Sequence, residues 1–415
     1  MFVPLALRMK QNDLCRVRST YELTIRLYGH LAAPNLQAVP HNTLDLQGSH
    51  ISLSASQPEC KKFTFAALSQ ILINYTSLVI PGVHEQFMPI LEKALEARAS
   101  LFDPRHESAF RLFNGFTEGE PNLVVDLYAS TLVLHNYADQ PERGLVIAEE
   151  AAQFLRDQLS WLRAGVIKTR NAEAQEDRRG RLFFGERPDR KIKEHNIWYA
   201  MDLTMNRDTS FYLDTRNLRK WLIGNMQGKR VLNTFAYTGS LGVAALAGGA
   251  ARLVQHDLNR QFLNVAKASY TLNGFPIHKG DFIAADFFTL AAKLKRTGET
   301  FDCVIIDPPF FSTTSKGKVD QVHESARLIN KVRPLIQDGG TLVAINNALY
   351  VSGKEYMQTL EELCQDEYLR IRELVPVPED FIGYNMIRNP ITDPAPFNHS
   401  TKIAVLDVKR KRLTL

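Results

Sequence analysis

The sequence predicts an α/β fold: a doubly wound domain with a mostly parallel sheet in the C-terminal half, preceded by a smaller α+β domain. Three observations predict it. From Lys229 onward, β-rich apolar runs at residues 230–235, 252–256, 301–306 and 341–346 alternate with helical stretches, which is the pattern of a parallel sheet covered by helices. Upstream, the runs Leu123–Tyr128 and Thr131–Asn136 are joined by a short polar turn and read as a hairpin. Before that, MPILEKALEARASLF from Met88 carries apolar positions at helical spacing and paired charges.

These elements divide the chain into three parts. Residues 1–87 show no sustained helical or strand period and receive no fold assignment. Residues 88–200 hold the Met88 helix, the hairpin, a helix over 144–159, a strand over 165–169 and an arginine-rich tail, which together make the small α+β domain. Residues 201–415 form the doubly wound domain. A length of 415 residues with 45% hydrophobic content suits two or three cores. A chain starting at Met88 is therefore expected to fold without the first segment.

The net charge of +5 suits a polyanionic partner without demanding one. Cys15, Cys60, Cys303 and Cys364 show no CxxC spacing, so neither a disulfide framework nor a metal site is expected. The apolar run at residues 2–7 is broken by Arg8 and Lys10, and no later run approaches the ~18 apolar residues of a membrane span. A cytoplasmic chain with no membrane partner is the expectation, and the sequence carries no signal of oligomeric state.

In open parallel sheets, ligands bind beyond the carboxyl ends of the strands. After the first strand comes VLNTFAYTGSLG, where Gly239 permits close backbone approach and the N–H groups of the following helix can receive a carboxylate. After the second comes Asp257, whose carboxylate can accept both hydroxyls of a ribose. A tight strand-to-helix turn at Gly239 and a helix N-cap at Asp257 are the structural alternatives. The discriminating segment is FDCVIIDPPFF, an apolar strand ending in Asp307, Pro308, Pro309 and Phe310. A carboxylate and a rigid carbonyl can bond a flat nitrogenous base while the aromatic ring stacks on it. That is the logic of base-modifying methyltransferases; the alternative is a strand stopped by Pro-Pro.

With these stretches, EPNLVVDLY, VIKTR, TSFYLDTRNLRKWL and LVQHDLNRQFLNVAKASYTLNG complete a set over about 111–415 that resembles the bacterial family of S-adenosylmethionine-dependent 23S ribosomal RNA methyltransferases. The resemblance implies a Rossmann-like class I methyltransferase domain, S-adenosylmethionine as cofactor and RNA, specifically 23S rRNA, as partner. It puts Phe235, Tyr237, Thr238, Gly239, Asp257 and Asn259 at the cofactor, Asp286 near the adenine amino group and Asp307 at the point of transfer. It also puts Arg216, within LDTR, at the cofactor or substrate entrance, against the alternative of a surface pair with Asp214. The PUA-type N-terminal module of many relatives has no counterpart in residues 1–87.

Members that make 5-methylcytosine need a cysteine nucleophile after the strand that follows DPP. Here Asn346 and Asn347 stand in that stretch, as in the branch that methylates guanine N7, where the ring nitrogen takes the methyl in line. A polar turn is the alternative for this pair. Between the domains, Arg163, Lys168, Arg170, Arg178, Arg179, Arg181, Arg187, Arg190, Lys191 and Lys193 crowd together with Phe183, Phe184 and Trp198, which reads as an RNA-binding face or as a solvated salt-bridge face. The expected activity is direct in-line methylation of a large-subunit rRNA base. Cytosine-C5 methylation, a protein or small-molecule substrate, and a non-catalytic RNA binder are the rivals.

Overall fold

The computed structural model describes residues 23–26, 43–47, 50–54, 83–384 and 393–410. Contacts divide the chain into two units, Met1–Pro81 and Gly82–Leu415. In the first, where the sequence shows no clear period, three strands pair antiparallel in the order β1-β3-β2: β1 (Leu23–Arg26), β2 (Thr43–Gln47) and β3 (His50–Ser54).

The second unit opens with α1 (Val83–Ala97), which starts ahead of Met88 and buries Phe87, Leu91 and Ala94. It lies on a five-stranded sheet in the order β4-β5-β6-β7-β8, made of β4 (Ala109–Asn114), β5 (Leu123–Tyr128), β6 (Thr131–Asn136), β7 (Ala164–Thr169) and β8 (Arg181–Phe184). β5 and β6 form the expected hairpin; β6 and β7 run parallel, joined by α2 (Pro141–Gln158). Ile147, Ala148, Ala151, Ala152 and Leu155 recur at helical spacing along α2 and pack with Leu132, Leu134 and Ile167 of the sheet. On the other face, Tyr128 and Val133 join Leu218, Leu222 and Val231 in one continuous core, so residues 83–200 and those that follow are packed together. A hairpin of β9 (Lys191–Glu194) and β10 (Ile197–Ala200) leads on.

A seven-stranded sheet dominates the rest, in the order β13-β12-β11-β14-β17-β19-β18. Its strands are β11 (Arg230–Thr234), β12 (Arg252–Asp257), β13 (Phe282–Ala284), β14 (Phe301–Ile306), β17 (Ile336–Asn346), β18 (Leu369–Leu374) and β19 (Lys402–Val408). β19 alone is reversed, antiparallel to both β17 and β18. Cys303, Ile305, Val343 and Val405 point into one core, and Val304, Ile306, Leu342 and Leu406 into the other, so both faces are covered. The longer helices here are α3 (Arg216–Asn225), α4 (Ser240–Ala247), α5 (Arg260–Asn273), α6 (Phe287–Thr297), α7 (Ser325–Val332) and α8 (Gly353–Cys364). A small hairpin of β15 (Phe311–Thr314) and β16 (Gly317–Asp320) follows the DPPF segment. β13, β18, β19 and this hairpin were not anticipated. Among the described residues, no helix is long and apolar enough to cross a membrane.

Candidate active site

The carboxyl ends of β11, β12 and β14 bring the loop 235–239, Asp257 and Asp307 to one edge of the sheet. The loop is unusually wound. Phe235, Tyr237 and Gly239 all have left-handed backbone, with φ of 54°, 51° and 78°, and for the two aromatic residues this is a strained conformation that surrounding bonds must hold. Those bonds are present. Asp257 Oδ2 accepts the Tyr237 N–H at 2.8 Å and Oδ1 accepts the Asn259 N–H at 2.8 Å; the Thr238 hydroxyl donates to the Ser210 carbonyl, and the Tyr237 hydroxyl to that of Thr209 at 3.3 Å.

Beneath the loop lies a polar strut that the sequence reading missed. Gln255, fully buried in β12, donates to the Gly239 carbonyl at 3.1 Å and accepts from the Asn233 amide at 2.9 Å. A Cβ at position 239 would fall 2.6 Å from the Ala266 Cβ and 2.9 Å from the Gln255 amide nitrogen, so only glycine fits. A polar residue in the middle of the apolar strand LVQHD was the available signal.

Asp257 sits half-buried at the end of β12. Burial pushes its carboxyl above the usual range, against the opposing pull of the Asn259 and Tyr237 N–H groups. Each oxygen keeps a second lone pair, so the carboxylate can take a ribose diol while still holding the loop. Asn259 caps α5, accepting the Gln261 N–H at 2.9 Å. Asp286 caps α6 through Thr289 N–H at 3.0 Å and accepts the Thr314 hydroxyl of the β15–β16 hairpin at 2.6 Å. Burial would raise its carboxyl, but these bonds outweigh it and hold it low. Neighbouring His256 bonds the Ala285 carbonyl at 2.9 Å, and burial pushes its ring down to about 4, so it is neutral at physiological pH.

Asp307 differs from these carboxylates. Among the described residues no hydrogen-bond donor to it is found. Burial, with the nearby Asp214 carboxylate, pushes its carboxyl up to about 7. Asp214 accepts the Thr401 hydroxyl at 2.8 Å through one oxygen and buries the other without a partner among the described residues. Beside Asp307, the Pro308 carbonyl is held by the Gln321 amide, whose oxygen accepts the Asn347 N–H at 2.8 Å. The Asn346 amide donates to the Gln321 carbonyl at 3.2 Å and to Ser325 Oγ at 3.0 Å. Buried Gln321, also missed from sequence, thus ties the DPPF segment to Asn346 and Asn347. Pro309, Phe310 and Phe311 are exposed, and the Lys318 ammonium lies 5.3 Å from the centre of the Phe311 ring.

Arg216 starts α3. Its guanidinium pairs with the Asp380 carboxylate, not with Asp214, and Asp380 also accepts the Arg111 N–H at 3.0 Å. The basic stretch is largely engaged as well: Lys168 is fully buried, Arg163 pairs with Asp189 at 3.1 Å, Arg170 pairs with Asp208 at 2.5 Å, and the Lys191 ammonium lies 4.2 Å from the centre of the Trp198 ring.

The site fits S-adenosylmethionine through a strained glycine turn, a half-buried carboxylate at the second strand and, at the fourth, a carboxyl without a hydrogen-bond partner among the described residues. Strand order defines a Rossmann-like class I methyltransferase fold, and residues 175–381 match the family described as S-adenosylmethionine-dependent methyltransferase. The chain is similar to two proteins named ribosomal RNA large subunit methyltransferase I. It is 32% identical to that of Aeromonas salmonicida over 62% of this chain and 65% of the relative, and 28% identical to that of Cronobacter sakazakii over 77% and 80%. The alignments span 65% and 60% of the Aeromonas salmonicida and Photobacterium profundum relatives. In fold it is similar to SMU.776, described as a methyltransferase and crystallised with SAH, at a TM-score of 0.68 and 21% identity over 88% of this chain and 87% of that one.

Proposed function

We propose that this protein methylates a base of large-subunit ribosomal RNA, 23S rRNA, with N7 of guanine as the acceptor and no cysteine nucleophile. The observation that carries the acceptor reading is the placement of thiols. Cys303 is buried in mid-β14, where burial pushes its thiol up to about 12, and Cys364 ends α8. Burial raises both thiols and so disfavours the reactive thiolate, and Asn346 ends β17 with Asn347 directly after it. The RNA reading is supported by the names of the relatives. When bound, S-adenosylmethionine supplies a methyl group that a ring-nitrogen lone pair can take directly, so no covalent adduct with the protein is needed. Phe310 offers a stacking face to the base, Gln321 fixes the turn that carries it, and the Asp307 carboxylate faces the positive charge that develops on the base.

Methyl-transfer assays on rRNA, protein and metabolite fractions test the substrate class, and nucleoside digestion tests the atom: label in 7-methylguanosine is expected. Label confined to protein or metabolites would overturn the RNA reading, and 5-methylcytidine the acceptor reading. The Cys303→Ala/Cys364→Ala protein should lose about 1–3 kcal/mol of stability from the buried thiol yet keep turnover per folded molecule. A covalent adduct with 5-fluorocytosine RNA would restore the cytosine mechanism; that experiment also covers Cys15 and Cys60, which lie outside the described residues.

A further inference from the structure

A cavity of about 290 Å³ opens beside the cofactor loop, lined by Gln175, Arg178, Arg179, Asn206, Arg207 and Asp208. Its charge is strongly positive. The single acid, Asp208, is already paired with Arg170 at 2.5 Å, leaving three guanidinium groups around the opening. Arg178 is anchored by the Ala172 and Glu173 carbonyls, both at 2.8 Å. Arg179 and Arg207 are exposed, and among the described residues neither side chain has a protein partner.

The walls of this cavity are built, not merely adjacent. Lys168, buried in β7, donates its ammonium to the Asn206 carbonyl at 2.8 Å and to the Arg179 carbonyl, clamping the two wall segments together. The Asn206 amide in turn donates to the Tyr237 hydroxyl at 3.3 Å, and the Tyr237 N–H bonds Asp257. The cavity is thus coupled through two residues to the carboxylate at the end of β12.

We propose that this cavity is a phosphate subsite that grips the RNA backbone beside the target nucleotide. The inference rests on the RNA-methyltransferase reading above and names how that substrate is held. Guanidinium forks match phosphate oxygens in geometry and charge, and an open, polar cavity suits a chain passing over it better than an enclosed small molecule. The connection to Tyr237 fixes the distance between the gripped phosphate and the cofactor loop.

The test uses the full chain with Arg179→Gln/Arg207→Gln, the single Arg207→Gln, and Arg296→Gln on α6 as a control matched in charge to the single variant. Binding of protein-free 23S rRNA is measured from 50 to 200 mM salt, and binding of S-adenosylmethionine by calorimetry. The double variant should lose about tenfold in RNA affinity and flatten the slope of log affinity against log salt by about one to two. Cofactor affinity should be unchanged, and the control should match wild type. Because the Arg207 side chain has no partner among the described residues, the single variant should fold and show a smaller loss in the same direction. RNA affinity and salt slope like wild type in both variants, or a loss confined to cofactor binding, overturns the subsite while leaving the RNA reading intact. A wild-type protein that neither binds nor methylates RNA overturns both.

Discussion

Asp307 stands at the end of β14 with its carboxyl pushed up to about 7 by burial and by the Asp214 carboxylate. If the ionised form faces a base that is gaining positive charge, the rate should rise as pH passes upward through about 7 and then level off; Asp307→Asn should show no such step. Asp307→Ala should lower transfer by roughly two orders of magnitude while largely sparing cofactor binding. The same residue sets a stability trend. Its folded-state value lies above the ordinary 3.8, so the folded protein holds the proton more tightly. That contribution is fully present below about pH 4 and is lost as pH rises through 7. Asp307→Asn should therefore gain thermal stability relative to wild type between pH 5 and pH 8, measured by calorimetry. For Asp257→Ala, S-adenosylmethionine binding should weaken by about 1–3 kcal/mol, since a charged acceptor of hydroxyls is lost. Calorimetry showing unchanged affinity would remove Asp257 from the site.

The loop 235–239 shows at the level of an element why some of this was legible and some was not. Gly239 and Asp257 could be read because strand ends are marked by an abrupt change from apolar to turn residues. Asp307 was marked in the same way by the Pro-Pro that follows it. Gln255 left only the mark of a polar residue inside an apolar strand, and Gln321 left none, because each acts through tertiary hydrogen bonds that have no periodic trace. β19 escaped because nothing local states that a strand will insert, reversed, between two others, and the partner of Arg216 was not foreseen because Asp380 lies 164 residues away. The loop's geometry predicts that Gly239→Ala will cost about 1–3 kcal/mol of stability, from positive φ and the clash with Ala266. Its affinity for the cofactor should fall at least tenfold; chemical denaturation and calorimetry read the two effects. A variant with wild-type affinity would show that the loop has room the structure denies it.

For the molecule as a whole, Arg98 holds the five-stranded region to the rest. Fully buried, it pairs with Glu118 at 2.9 Å and donates to the Asp380 carbonyl at 3.1 Å. Arg98→Ala would strand a buried carboxylate and should destabilise the protein by about 3–5 kcal/mol in denaturant unfolding. Contact division at Gly82 predicts that a chain starting there folds and binds cofactor. A start at Met88 should be less stable, since it removes the first turns of α1 with Phe87, which packs edge-on against Phe113 at 6.0 Å. The reversed β19 also sets an order on synthesis. A nascent chain that has emerged only as far as residue 400 has made every other strand of the seven-stranded sheet but leaves the facing edges of β17 and β18 open. Unpaired edges are sticky, so this interval is when the chain is most exposed to aggregation. Closing of the sheet waits on the seven residues of β19, Lys402–Val408.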